Sequence, residues 1–157
     1  MRDSIDATIS DIYEAAFFPS EWPRVLSRIC DDFGFLGGAV ATESGSMETW
    51  TLTSSMEDVV SAFVEGGWPA RNERLHRLVR QGASGFQQDF ELFTYEEWEK
   101  TPVYRDFLVP WGHGFGAGTL IATPSQVRMI VILERLLKEG PVPADTIRQL
   151  NLLRPPM

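Results

Sequence analysis

Four strand-like stretches constrain this chain most, because they come in two close pairs. GGAVAT (37–42) and METWTLT (47–53) are separated by the polar ESGS, and HGFGAGTLIAT (113–123) and VRMIVILER (127–135) are joined at TPSQ. Strands this near in sequence pair antiparallel, since parallel neighbours need a crossover of a dozen or more residues. The run MIVIL is apolar on both faces, which places the last strand mid-sheet. No strand–helix–strand alternation occurs, so a doubly wound parallel sheet is excluded and helices must cover an antiparallel sheet.

Helical spacing fills the rest. Ile5, Ile9, Ile12, Tyr13 and Ala16 predict an amphipathic helix over 4–17. Ser20 is placed to cap a second helix, with Trp22, Val25, Leu26, Ile29 and Phe33 as its inner stripe and Gly34 as its terminator. Ser55 caps a third, carrying Val59, Val60, Phe63 and Val64, which Gly66–Gly67 stops. Leu75, Leu78 and Val79 give the next helix one apolar side. GFQQDFELF (85–93) reads as a short strand. Thr94 with Glu97 forms a capping box. Thr101–Pro102 opens a helix with Val103, Tyr104, Phe107 and Leu108 inward, and a last helix starts at about Pro143 with Ile147, Leu150 and Leu153 inward. The expected fold is α+β: a five- to six-stranded, mainly antiparallel sheet with helices on its faces and an inserted helical middle, as in PAS/GAF-like sensor domains. With 157 residues and no repeat or linker, residues 1–157 form one domain.

Several functions are excluded by composition. A net charge of −8 is wrong for gripping phosphates or anionic lipid. No apolar run approaches the roughly 18 residues of a spanning helix. The acidic N-terminus has no signal-peptide layout. Cys30 is the only cysteine, so no intrachain disulfide forms, which fits a cytoplasmic setting. On its helix Cys30 reads as a small hydrophobe. No G-x-S-x-G elbow occurs, and His76 and His113 have no metal-ligand spacing, so neither an enzyme nor a metal or cofactor site is expected. His76 reads as solvated, His113 as a satisfied structural histidine with a place on a cavity wall as the alternative, and the acids of EEWEK (96–100) as complements of a helix dipole.

Two features point to a binding site. Gly112, Gly114, Gly116 and Gly118 alternate, so in one strand they share a bare face. That face suits either a close helix–sheet contact or a ligand floor. The rings Trp50, Trp68, Trp98, Tyr104, Phe107, Trp111 and Phe115 are more than packing alone needs, and a small-molecule cavity would use some of them.

YEAAFFPSEWPRVL (13–26), FVEGGWPARNERLHRL (63–78), TPVYRDFLVPWGHGFGAGT (101–119), ILER and LNLLRP are together similar to a known family. The chain resembles, from about residue 10 to 155, the N-terminal sensor region of bacterial LuxR-type helix-turn-helix transcriptional regulators, in a poorly characterised alphaproteobacterial group. The resemblance implies a small-molecule sensor that dimerises through its terminal helices. It also implies a DNA-binding domain after LRP. This chain reads LRPPM where the family favours LRPHL, and no basic recognition helix occurs within it, so no DNA-binding domain is expected here. The ring signature of acyl-homoserine-lactone receptors is not matched, and that ligand is not implied.

GGWPARNERLHRLVR (66–80) keeps two readings. Trp68 closes a pocket mouth, with Arg71 and Asn72 bonding a polar ligand. Alternatively, Trp68 is core, Arg71 pairs with Asp89 or Asp106, and Arg74, Arg77 and Arg80 are solvated. The expected ligand contacts are Trp50, Trp68, Arg71, Tyr104, Phe107, Trp111 and Phe115. The expected function is non-enzymatic sensing of an unknown small molecule by a homodimer, with a ligand-free dimerisation module as the alternative.

Overall fold

A computed structural model describes residues 2–42, 50–82, 84–122 and 128–154. The ESGS and TPSQ turns, Met47–Thr49 and Pro155–Met157 lie outside the described residues.

Strands β1 (Gly37–Thr42), β2 (Thr51–Leu52), β3 (Gln87–Gln88), β4 (Phe115–Ala122) and β5 (Arg128–Arg135) form one sheet in the order β2-β1-β5-β4-β3. Every pair is antiparallel. β5 is central, as its apolar run requires. Its register sets Ile132 opposite Ala39 on one side and Gly118 on the other. The fold is therefore α+β with a five-stranded antiparallel sheet.

Both faces of the sheet are covered. Val40, Ala117, Ile121, Val131 and Leu133 pack against α1 (Arg2–Phe17), α2 (Trp22–Phe33) and α7 (Ala144–Asn151). Over the opposite face lie α3 (Glu57–Glu65), α4 (Glu73–Gln81), α5 (Asp89–Leu92), α6 (Tyr95–Lys100) and a π-helical segment, Val103–Leu108. The expected inner stripe of α2 is buried, and Gly34 ends that helix at φ 80° with its N–H on the Cys30 carbonyl. Arg154 anchors the far end of the chain: it donates to Thr119 Oγ1 at 3.0 Å and to the Leu120 carbonyl at 2.6 Å.

Four local expectations are corrected. Tyr13 is 56% exposed, because the inner face of α1 runs through Ile5, Thr8, Ile12 and Ala15. Ser20 and Ser55 do not cap; each lies in a 3-10 turn ahead of its helix, and the Ser55 hydroxyl donates instead to the Leu36 carbonyl at 3.0 Å. GFQQDFELF is strand only at Gln87–Gln88, because Gln88 and Glu91 form a capping box that starts the one-turn α5. Gly112 and Gly114 precede β4 at φ 79° and 129°, so the four alternating glycines do not share one strand face.

The Thr94 box forms as read. Glu97 N–H donates to Thr94 Oγ1 at 3.1 Å, and Thr94 N–H donates to Glu97 Oε1 at 2.9 Å. Glu97 Oε2 also meets Arg77 Nη2 at 2.8 Å. The Arg77 hydrogen bond, followed by the Thr94 N–H, pulls the Glu97 carboxyl down to about 2. A depressed carboxyl stabilises above its ordinary value of 4.5, and that contribution disappears as pH falls from there toward 2. Thr94→Ala removes the other half of the box and is expected to cost about 1 kcal/mol in urea unfolding at neutral pH.

Burial, with a smaller contribution from Asp31, pushes the Cys30 thiol up to about 12. Near neutral pH the thiolate is then scarce, and alkylation by iodoacetamide is expected to run about a hundredfold or more slower than for a free thiol. Unfolding in urea should release it. Fast labelling of the folded protein, followed by mass spectrometry, would refute this account.

Candidate functional site

Gly67, at φ 74°, turns the chain out of α3, and the Asn72 Oδ1 accepts the Leu75 N–H at 3.2 Å to start α4. Arg74 and Leu78, one turn apart, face the sheet and are buried. Arg74 Nε and Nη2 hold Asp89 Oδ1 and Oδ2 at 2.7 and 2.8 Å, a bidentate fork. Its Nη1 donates to Glu134 Oε1. The Tyr104 hydroxyl also donates to Asp89 Oδ1, and Gly116 N–H donates to Oδ2 at 2.7 Å. One guanidinium and one carboxylate thus knot together α4, α5, the π-helical segment, β4 and β5.

The charges set one another's protonation. Burial acts to lower the Arg74 pKa, but Asp89 and Glu134 hold it well above the ordinary arginine value. Burial acts to raise Glu134, and Arg74 followed by His113 brings its carboxyl below the usual glutamate value. Burial and the Asp89 charge push Tyr104 well above an ordinary phenol, so its hydroxyl stays a donor.

The glycines at 116 and 118 admit this knot. A Cβ on Gly116 would lie 2.6 Å from the Leu133 carbonyl oxygen and 2.9 Å from Arg74 Nη2. At Gly118 it would meet Ile132 Cδ1 at 3.0 Å and Leu78 Cδ2 at 3.1 Å. This part of the bare face receives α4, so it is a close helix–sheet contact and not a ligand floor.

Beside the knot lies a cavity of about 90 Å³. Ala39, Ala41, Ile130 and Ile132 form its sheet side, with α3 and the π-helical segment opposite. Asn72, Arg74, His113 and Glu134 supply its polar lining. Three buried polar atoms on lining residues have no hydrogen-bond partner among the described residues: Trp50 Nε1, His113 Nδ1 and Glu134 Oε2. Unpaired buried atoms are rare enough to require a reason.

Two of the seven expected ligand contacts, Trp50 and Phe107, line this cavity. Trp68 is buried behind it, with its ring 5.8 Å from that of Phe107. Arg71 stacks 4.0 Å over Trp68 and donates to the Gly66 carbonyl at 3.2 Å. It does not bridge to either expected acid: Asp89 is held by Arg74, and Asp106 by Arg105 at 2.8 Å. Tyr104 is fully buried in the ionic knot. Phe115 stacks on Trp98 at 5.2 Å, and Trp111 is 44% exposed.

Arg74 is not solvated as expected, while its neighbours stay on the outer side of α4. Arg77 covers the Phe93 ring at 4.1 Å and reaches Glu97, and Arg80 pairs with Glu73 at 2.7 Å. His76 is exposed, and His113 is buried. The site residues missed in the sequence are Arg74, Asp89 and Glu134. Glu134 left one signal: it continues the Ile130–Ile132 side of a strand whose middle, MIVIL, is apolar. No protein-family model matches the chain, and no curated protein or solved structure is significantly similar to it.

Proposed function

We propose that this chain is a cytoplasmic small-molecule sensing domain of PAS/GAF-like architecture, belonging to a LuxR-type transcriptional regulator and acting as a homodimer. Its ligand occupies the cavity between the sheet, α3, α4 and the π-helical segment. The observation that carries this reading is that cavity, whose walls are largely apolar and whose lining residues include unpaired polar atoms. Two antiparallel pairs bracketing a helical middle support the fold assignment. The quoted stretches support the regulator.

Transmission runs through the sheet. Ala39 and Ala41 meet the cavity, while Val40 between them meets the terminal helices. The same division holds for Ile130 and Ile132 against Val131 and Leu133. A guest bound better by one arrangement of these strands shifts the population of the helices packed behind them. The domain binds and does not catalyse, with Asp89 and one oxygen of Glu134 already committed to Arg74.

Native mass spectrometry of the purified protein tests the reading. A retained small molecule, lost in Val60→Phe, is the expected result, because the larger ring fills the space that Val60 borders. The ligand-free dimerisation module is the second reading. Exposed Tyr13, Phe17 and Phe18 near the end of α1 favour it. A dimer disrupted by Phe17→Ser, with no mass retained at any stage, would select that alternative.

A further inference from the structure

We infer that the ligand of this cavity is a compact primary amine, whose ammonium group sits against Glu134 and His113. This rests on the sensing reading above and adds the chemistry of the guest.

Glu134 lies on the central strand with its side chain 4% exposed, and His113 with its side chain 5% exposed. Glu134 Oε1 takes Arg74 Nη1, and Oε2 has no partner. His113 Nδ1 also has none, and it stands 3.8 Å from Oε2, beyond hydrogen-bond reach. A single nitrogen at an ordinary distance of about 2.8 Å from each would bridge the two atoms, which have essentially no exposed surface in this structure, once their side chains part to admit it. An ionised carboxylate only accepts, so the visiting group must donate.

Charge selects among donors. The groups in the knot are Arg74, Asp89, Glu134, Tyr104 and His113. Two of these groups are carboxylates and one is a guanidinium, and the Tyr104 hydroxyl is a donor. A cation balances that excess. An anion meets the opposite situation, since Nε, Nη1 and Nη2 of Arg74 are all engaged.

Size and wall chemistry define the body. A cavity of about 90 Å³ holds about six to nine water-sized groups at roughly 10–15 Å³ each. That admits one ring or a short branched chain and excludes a long acyl tail. Val60, Leu108, Ile130 and Ile132 make an apolar sleeve, and the Trp50 and Phe107 rings suit a neighbouring cation.

The test uses the whole chain near neutral pH with four probes of one shape: benzylamine, benzyl alcohol, toluene and benzoate. Dissociation constants come from calorimetry. Benzylamine should bind at least tenfold more tightly than toluene or benzyl alcohol, and benzoate should not bind. Glu134→Gln should weaken benzylamine at least tenfold and leave toluene unchanged. His113→Gln should weaken benzylamine severalfold, and it is the variant to read should Glu134→Gln fail to fold. If toluene or benzyl alcohol binds as well as benzylamine, the amine assignment is overturned while the sensing cavity stands. If none of the four binds and no mass is retained in native spectrometry, both fall.

Discussion

Arg74→Met is expected to lower the unfolding free energy by about 3–5 kcal/mol, the range for removing one partner of a buried ion pair. The melting temperature should drop by roughly 10–15 °C in a chain of this length. Methionine fills much of the arginine volume, so lost packing is the smaller effect. The larger one is that Asp89 and Glu134 remain inside, 3% exposed each, with no cation.

The deficit depends on pH in a defined direction. In the native protein the Glu134 carboxyl sits below its ordinary value, so its stabilisation is present above about 4.5 and is lost as pH falls through the lower folded value. In the variant, burial acts on the Glu134 carboxyl without Arg74 to oppose it, and its folded value rises. It then destabilises increasingly as pH climbs past the ordinary carboxylate range. Both changes narrow the gap between the two proteins in acid and widen it near neutral pH. Urea unfolding of both proteins across that range is the measurement. A loss below about 1 kcal/mol at neutral pH, or a gap that widens in acid, would show that the knot is not a buried charge cluster. Neutralising all three groups in Arg74→Met/Asp89→Asn/Glu134→Gln should recover part of the loss.

Gly116→Ala should cost about 3 kcal/mol, at the upper end of the overpacking range. The added methyl carbon would stand 2.6 Å from the Leu133 carbonyl oxygen, a backbone atom in the middle of the sheet that cannot swing aside. Its other near neighbour, Arg74 Nη2 at 2.9 Å, is held by Asp89. Relief requires β4 to separate from β5 or α4 to lift, and either movement loosens the knot. Gly112→Ala is the contrast. It has nothing within 4 Å of its Cβ, and its cost is that of a left-handed residue at φ 79° in a turn. Equal and small effects at the two positions in thermal denaturation would overturn the close-contact account.

The sheet was legible because its signals are local. The MIVIL run placed β5 at the centre, and the inner stripe of α2 and the Thr94 box were read from residues within a turn or two. The knot was not legible, because Arg74 finds its acids 15 and 60 residues away. Arg71, Arg74, Arg77 and Arg80 share a spacing of three, and only the one a turn before Leu78 faces the sheet. Asp89 was assigned to a strand because Phe86 and Phe90 alternate with polar residues. The Gln88–Glu91 box instead turned the chain into α5 and brought Asp89 beneath Arg74. The cavity had no pattern to read, since a void is set by what several distant elements fail to fill. Ring counting found Trp50 and Phe107 on its wall, but placed Trp111 there as well, which is partly exposed.

The central position of β5 also determines how the polypeptide must assemble. Gly37 pairs with Glu134, about a hundred residues further along, so β1 waits for nearly the whole chain before acquiring its inner neighbour. Closing so long a loop is entropically slow, and refolding is expected on the millisecond-to-second scale of long-range topologies. On the ribosome, β1 would emerge with one apolar edge vacant until β5 is synthesised, which makes that interval the chain's most aggregation-prone moment.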